Sequence, residues 1–393
     1  MQKRFAIGVV ILCLGYYVLE CFNGRAQMAD FRVYYDAANA LLHGDLLYGK
    51  AFGVSSGFYK YSPFACIPFI PLALLPFGLA SFFYYLLITA AIIWFSQRVS
   101  KVILGAETKA FIALPILTGL FLIDHLEREL HLGNINLLLL IALFECYILL
   151  KSDRNVKGGA LYGLVLLFKP HFLLLLPYLI WKKRLTSVLA CFSAVGLGLL
   201  LPSAALGWQQ NIQLLNQWGD AMSDHNLALQ LSPNTIYGII NKVFLHGNAG
   251  AWLVLSCLAV VGSCIAYLIL RNDRLAGKAW SAEVRFTEYF LLIALVPNLV
   301  HTDTEHFMWV WPILALAIFD VIKTNTPWQK TRITLLALAF IPFALNSPDI
   351  VGSKIRLLFD EGGLGLANVM ILVCALMTNY ELRISGKSVI RNS

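Results

Sequence analysis

Long apolar runs separated by short basic loops recur along the whole chain, and that alternation decides what it can fold into. The runs cover 5–22, 63–76, 79–96, 110–123, 134–150, 159–168, 171–181, 186–206, 251–270, 286–300, 307–322, 333–346 and 356–378. Side chains are 59% apolar and 13% charged, against roughly 45–50% and 25% in soluble domains. At about 20 residues per span, such content supplies on the order of 11–13 membrane helices. The 28 Gly and 14 Pro scattered through the runs predict broken helices, not the alternating strands of a membrane barrel. The expected fold is all-α and polytopic, one integral membrane domain over 1–393, surrounded by membrane lipids.

The charge balance sets orientation. The formal net charge is +8 and the isoelectric point about 9.0. Basic residues cluster in short loops, among them Lys151, Arg154 and Lys157; Lys182, Lys183 and Arg184; and Lys323, Lys330 and Arg332. That pattern marks cytoplasmic loops and lacks the contiguous basic face of a nucleic-acid binder, so no nucleic-acid partner is expected. Segments 23–62, 124–133, 207–250, 301–306 and 347–355 are then extracytoplasmic. They hold His43, His125, His131, His225, His246 and His301, with His306 at the edge, so titratable chemistry gathers on the non-cytoplasmic face. The eight cysteines sit mostly in apolar runs without metal-site spacing and read as small core hydrophobes. Lys3 and Arg4 precede an apolar stretch with no small-residue cleavage site, which predicts an uncleaved first helix.

Several apolar segments are too short for straight spans. The pair 159–168 and 171–181, flanked by basic loops, predicts a hairpin turning at Phe168-Lys169-Pro170-His171. The Pro-rich segment 63–76 predicts a partial crossing.

Within the first outer loop, 29–44 reads as an amphipathic helix with Phe31, Tyr34, Tyr35, Ala38, Leu41 and Leu42 on one side and Gly44 just past its end. Asp30 at its start has two readings. It is an N-cap, or a carboxylate at lipid-phosphate depth that takes a proton from an alcohol, a role that needs a dry, shielded setting.

Asp30-Phe31-Arg32-Val33-Tyr34-Tyr35-Asp36-Ala37-Ala38, Leu47-Tyr48, Tyr61-Ser62-Pro63-Phe64 and Leu75-Pro76-Phe77 together resemble glycosyltransferase family 87. The likeness continues through His131-Leu132-Gly133-Asn134-Ile135-Asn136, Phe168-Lys169-Pro170, Ser232-Pro233-Asn234-Thr235 and Thr304-Glu305-His306-Phe307. Single motifs are weak, but their collinear order covers most of the chain. The resemblance implies a GT-C-type membrane fold and a polyprenyl-phosphate sugar as donor, with mannose as the family's usual hexose. It implies that Asp30 is the catalytic aspartate and that Glu305 and His306 match the start of a Trp-Glu/Asp-His-His stretch. Thr304, Phe307, Asn134 and Ser62 depart from the family's usual Trp, His, Gln and Pro, which bears on sugar and acceptor more than on reaction class.

Residue chemistry supports the same cast. A departing lipid phosphate gains negative charge, and fixed cations stabilise that change. Lys169 between two apolar runs and Lys60 at a membrane entry are candidate phosphate donors, Lys60 also reading as a snorkelling lysine. His306 is a third, its tautomer set by Glu305. Tyr34, Tyr35 and Tyr61 either stack on sugar or belong to the interface belt. His171, Asn134, Asn136 and Asn234 are further substrate-binding candidates, the asparagines equally reading as helix-terminus hydrogen-bonders. The His301–His306 stretch matches no standard metal site, so neither metal nor cofactor is expected beyond the lipid-linked sugar. The expected acceptor is a lipid or glycan, and the expected location a bacterial inner (plasma) membrane with the site facing periplasm or exterior. The rival class is a transporter or flippase, which also suits an intramembrane lysine and broken helices.

Overall fold

The computed structural model describes residues 2–53, 57–105, 113–227, 232–245, 251–275, 282–300, 303–323, 328–346 and 351–385. His246 and His301, and the side chain of His225, lie outside the described residues. The helices run α1 (Gln2–Phe22), α2 (Ala29–His43), α3 (Ile70–Ala73), α4 (Phe77–Leu104), α5 (Ala113–Phe121), α6 (Ile123–Leu132), α7 (Asn136–Lys151), α8 (Asn155–Phe168), α9 (Leu176–Trp181) and α10 (Leu185–Leu200). They continue as α11 (Ser203–Leu206), α12 (Trp208–Leu227), α13 (Ile236–Phe244), α14 (Ala251–Leu275), α15 (Ala282–Leu299), α16 (Trp311–Lys323), α17 (Gln329–Ala344), α18 (Ser353–Leu358) and α19 (Leu364–Ser385). A two-residue hairpin pairing Ala51–Phe52 with Gly57–Phe58 is the only sheet among the described residues. Among the described residues, six helices are long and apolar enough to cross a membrane, or seven if α6 and α7 count as one bent span. Several expected segments, including 63–76 and the 159–181 pair, are shorter apolar helices.

Packing divides the chain into two compact units, Lys3–Trp94 with Glu127–Leu227, and Phe95–Leu126 with Ala228–Ser393 and Met1–Gln2. In the first, α1 is apolar all round and only 11% of its span is buried, so Leu12, Leu19 and Phe22 are left for lipid. Tyr16 hydrogen-bonds Glu127, and His131 meets Glu20 at 2.5 Å, fastening α1 to α6. Segment 124–133, expected outside the membrane, is helical through Leu132. Helix α2 forms as its pattern predicts: Phe31, Tyr34, Ala38 and Leu41 are buried, and Gly44 closes it in the left-handed region at φ 70°. Leu42, expected on that face, is exposed, and Val33, Ala37 and Ala40 are buried instead.

Pro63 and Pro68 force the start of 63–76 into a 3-10 helix, Pro63–Phe69, followed by the single turn of α3. The break at Lys169 is real. Its backbone is extended (φ −133°, ψ 94°), and a 3-10 helix, Pro170–Leu175, follows. Tyr162 of α8 donates to the Phe172 carbonyl at 2.7 Å, so the chain folds back along α8. Helix α8 lies against α10 through a Gly159-xxx-Gly163 pair. A Cβ at Gly159 would stand 2.1 Å from the Ser187 carbonyl oxygen, and one at Gly163 2.5 Å from that of Cys191. Without a hydrophobic force between helices in lipid, such close backbone approach supplies the dispersion contact.

The second unit is built on α16 and the 3-10 helix Thr304–Val310 before it, a span 83% buried that carries Trp309 and Trp311 inward. Arg332, expected in a cytoplasmic loop, is instead fully buried against Asp320. A buried arginine is tolerable only when paired, and Asp320 supplies the partner.

Candidate active site

The geometry of the first unit centres on the turn between α6 and α7, whose axes differ by 115°. Gly133 closes α6 at φ +66°, and the Asn134 amide bonds back to the Glu129 carbonyl at 3.2 Å, the six-to-one bond of a Schellman end. No side chain fits at Gly133, because a Cβ would lie 2.7 Å from both Met28 Cε and Phe31 Cβ. The turn is thus pressed directly onto the start of α2.

Asp30 is held there. It is the second residue of α2, and the helix is capped by Met28, which sits in the left-handed region (φ 43°, ψ 61°) with no side-chain cap bond. The N-cap reading of Asp30 therefore fails. Its half-buried carboxylate accepts from Asn134 Nδ2 at 2.6 Å. The amide orientation follows from its other end, where Asn134 Oδ1 accepts from the Ile135 main-chain N–H at 2.7 Å and from Tyr34 at 3.4 Å. Phe31, fully buried, stacks on Tyr84 with centroids 4.4 Å apart, and Tyr84 donates to the Asn134 carbonyl at 3.2 Å. Two independent anchors thus fix Asp30 and its partner.

Tyr34 and Tyr61 hydroxyls are 3.2 Å apart. Burial drives the Tyr34 phenol far above its ordinary range near 10, with Tyr61 and the Asp30 charge adding to it, and burial does the same to Tyr59. Tyr59 donates to the Ser62 carbonyl and Tyr48 to that of Tyr61. Ser62 N–H reaches the Leu167 carbonyl at 3.3 Å, which joins this loop to the end of α8. Lys169, 6% exposed, donates to Asn136 Oδ1 at 2.6 Å. The turn 133–136 therefore carries a carboxylate's partner at Asn134 and a cation's partner at Asn136.

Tyr35 ties α2 to the Leu75 carbonyl at 2.6 Å, and Lys60 is exposed, its carbonyl accepting from Trp218 at 3.2 Å. His171 is half-buried on the 3-10 helix after Lys169. In the second unit, Glu305 and His306 are buried, and His306 Nδ1 faces the Asp303 carbonyl at 3.2 Å. A carbonyl only accepts, so Nδ1 carries a hydrogen. One ligand atom each from Asp303, Glu305 and His306 lie within 4.8 Å of one another, a spacing that a metal ion would accept. Asn234 is engaged at both ends: Nδ2 donates to the Asp360 carbonyl at 2.9 Å, and Oδ1 accepts from Gly365 N at 3.0 Å.

Sequence reasoning passed over Glu129, which is fully buried and whose Oε1 accepts from Leu137 N at 2.7 Å. The signal was present in the spacing of His125 and Glu129, four apart and flanked by Leu122, Leu126 and Leu130, which places them on a buried helical face.

The sequence model of glycosyltransferase family 87 matches residues 58–296, more than half of the chain. A polyprenol-phosphate-mannose-dependent alpha-(1-2)-phosphatidylinositol pentamannoside mannosyltransferase of Mycobacterium tuberculosis (strain CDC 1551 / Oshkosh) is 28% identical over 80% of this chain and 72% of its own length. A protein of the same description from Mycolicibacterium smegmatis is 27% identical over 74% of this chain and 69% of its own. No solved structure matches the chain significantly.

Proposed function

This chain belongs to glycosyltransferase family 87, and from that premise we propose that it moves mannose from a polyprenyl-phosphate donor to a lipid or glycan acceptor on the extracytoplasmic face. The reading rests on one observation above the rest, the Asp30 carboxylate fixed by Asn134 at 2.6 Å on a turn that also holds Lys169. The mannose-dependent relatives support the donor, and family membership favours transfer over transport.

Asp30 takes the proton of the acceptor hydroxyl as its oxygen attacks C1 from the face opposite the phosphate. The C1–O bond to phosphate breaks in the same step, and the electron pair leaves with the lipid phosphate. Lys169 stabilises the charge that develops on the departing oxygen, and Lys60 is a further donor to it. Tyr34, Tyr35, Tyr61, Asn134, Asn136 and His171 complete the proposed substrate-binding set. A β-linked donor gives an α-product by this single inverting displacement. Phosphate leaves without a general acid, so one carboxylate suffices where glycoside hydrolases need two, and with fixed cations present the reading requires no metal.

The test is transfer by purified protein from polyprenyl-phosphate mannose to membrane lipids. Asp30→Asn keeps shape and removes the base, and a loss of about 10²–10⁴-fold is expected. A well-folded Asp30→Asn protein with parental activity would sink the reading.

A further inference from the structure

Glu129 of α6 bonds both ends of the turn between α6 and α7, and nothing above gives it a task. Its main-chain carbonyl accepts from Asn134 N at 3.2 Å and so closes α6. Its side-chain Oε1 accepts from Leu137 N at 2.7 Å and so opens α7, whose own cap residue, Ile135, offers no side-chain bond. The first N–H groups of a helix have no intrahelical acceptor, and here a buried carboxyl from the preceding helix supplies one. From the first of these bonds to the second the chain runs only through Asn134, Ile135 and Asn136. With both ends pinned by Glu129, the path of those three residues is fixed, and with it the direction of the two amides.

We propose that Glu129 is a positioning residue for sugar transfer: by bonding both ends of the turn it aims Asn134 at Asp30 and Asn136 at Lys169. The proposal rests on the functional reading of Asp30 and Lys169 given above. Glu129 acts through the asparagines, without touching substrate. Its influence falls on two kinetic quantities at once, turnover through Asn134 and donor binding through Asn136. A residue that served only stability would lower the folded yield and leave the kinetics of the folded fraction alone.

The experiment uses the full chain, purified as a monodisperse protein and assayed with polyprenyl-phosphate mannose and membrane lipids. Glu129→Ala is expected to lower kcat by about 10–100-fold, the scale of a small misplacement of a catalytic group, and to raise the donor KM. Glu129→Gln keeps an acceptor oxygen and is expected to retain most of the activity. In the double variant with Asn134→Ala the kcat losses should not multiply, because one contact is removed twice. The proposal is overturned if folded Glu129→Ala keeps parental kcat and KM, if Glu129→Gln is as damaged as Glu129→Ala, or if the double-variant losses multiply. Should Glu129→Ala fail to fold, Glu129→Asp, whose carboxyl falls one methylene short, takes its place in the same comparison. A fully active Asp30→Asn protein would overturn the functional reading instead. The Glu129 and Asn134 losses would still report their coupling, whichever group is the base.

Discussion

Asn134 and Asn136, two residues apart, serve groups of opposite charge: the first donates to the Asp30 carboxylate and the second accepts from the Lys169 ammonium, each at 2.6 Å. An amide can do either task because it carries both a donor and an acceptor, so one short turn organises base and cation together. Asn136→Asp would convert the second contact into an ion pair and compete with donor phosphate for Lys169. The donor KM should rise about tenfold or more, the scale of one charge-assisted hydrogen bond, while kcat at saturating donor changes less. Steady-state kinetics against donor concentration checks this, and an unchanged KM would remove Lys169 from phosphate binding.

Lys169→Ala removes the cation itself. If it stabilises charge on the departing oxygen, kcat should fall by about 10²–10³-fold, as for loss of an oxyanion donor. A loss confined to KM would make it a binding group only.

Gly133→Ala tests the seat of the turn. The left-handed φ of +66° strains any side chain, and Phe31 Cβ at 2.7 Å cannot swing away as the Met28 methyl can. A destabilisation of about 1–3 kcal/mol is expected, seen as a lower unfolding temperature in detergent. Activity should drop even in the folded fraction, because the displaced turn carries Asn134.

Alkaline pH should unfold the protein through its buried tyrosines. Tyr34 and Tyr59 have phenols raised far above their ordinary value of 10.0 by burial. The folded state therefore holds protons that the unfolded chain gives up, and stability, fully present below about pH 10, declines as pH rises beyond it. Denaturant titrations at pH 9 and pH 11 should show the drop, and Tyr34→Phe should reduce it. Spectrophotometric titration should find these two phenols silent until unfolding begins.

Chelation addresses the second unit. With fixed cations carrying the phosphate, transfer should survive excess EDTA. Loss of activity that a divalent cation restores would instead assign a metal to Asp303, Glu305 and His306, whose ligand atoms lie within 4.8 Å of one another.

Much of this architecture is legible in the chain because it follows from local pattern. The apolar face of α2 and its stop at Gly44 follow from 3.6-residue periodicity and from the freedom of glycine at positive φ. The break at Lys169 follows from a charge and a proline between apolar runs. What escaped depends on contacts far apart in sequence. Asp30 meets Asn134 across 104 residues, and no spacing rule links them. Arg332 reads as a loop cation until Asp320 is seen beside it. Glu129 hid among the charges of Ile123–Leu132 although its spacing from His125 marked a buried face, because the bond it makes, to Leu137 N, crosses into the next helix.

The glycine seam between α8 and α10 bears on how such a chain can diverge. At most positions an added carbon is absorbed by a neighbouring side chain that turns aside. Gly159 and Gly163 face main-chain oxygens at 2.1 and 2.5 Å from where a Cβ would stand, and a carbonyl in a helix has nowhere to turn. Any larger residue there must shift the whole helix, and Lys169, six residues beyond Gly163, moves with it. Descendants of this sequence are therefore free to exchange loops and surface aromatics long before these two glycines. A lineage that has replaced both will have had to find its cation a new mount.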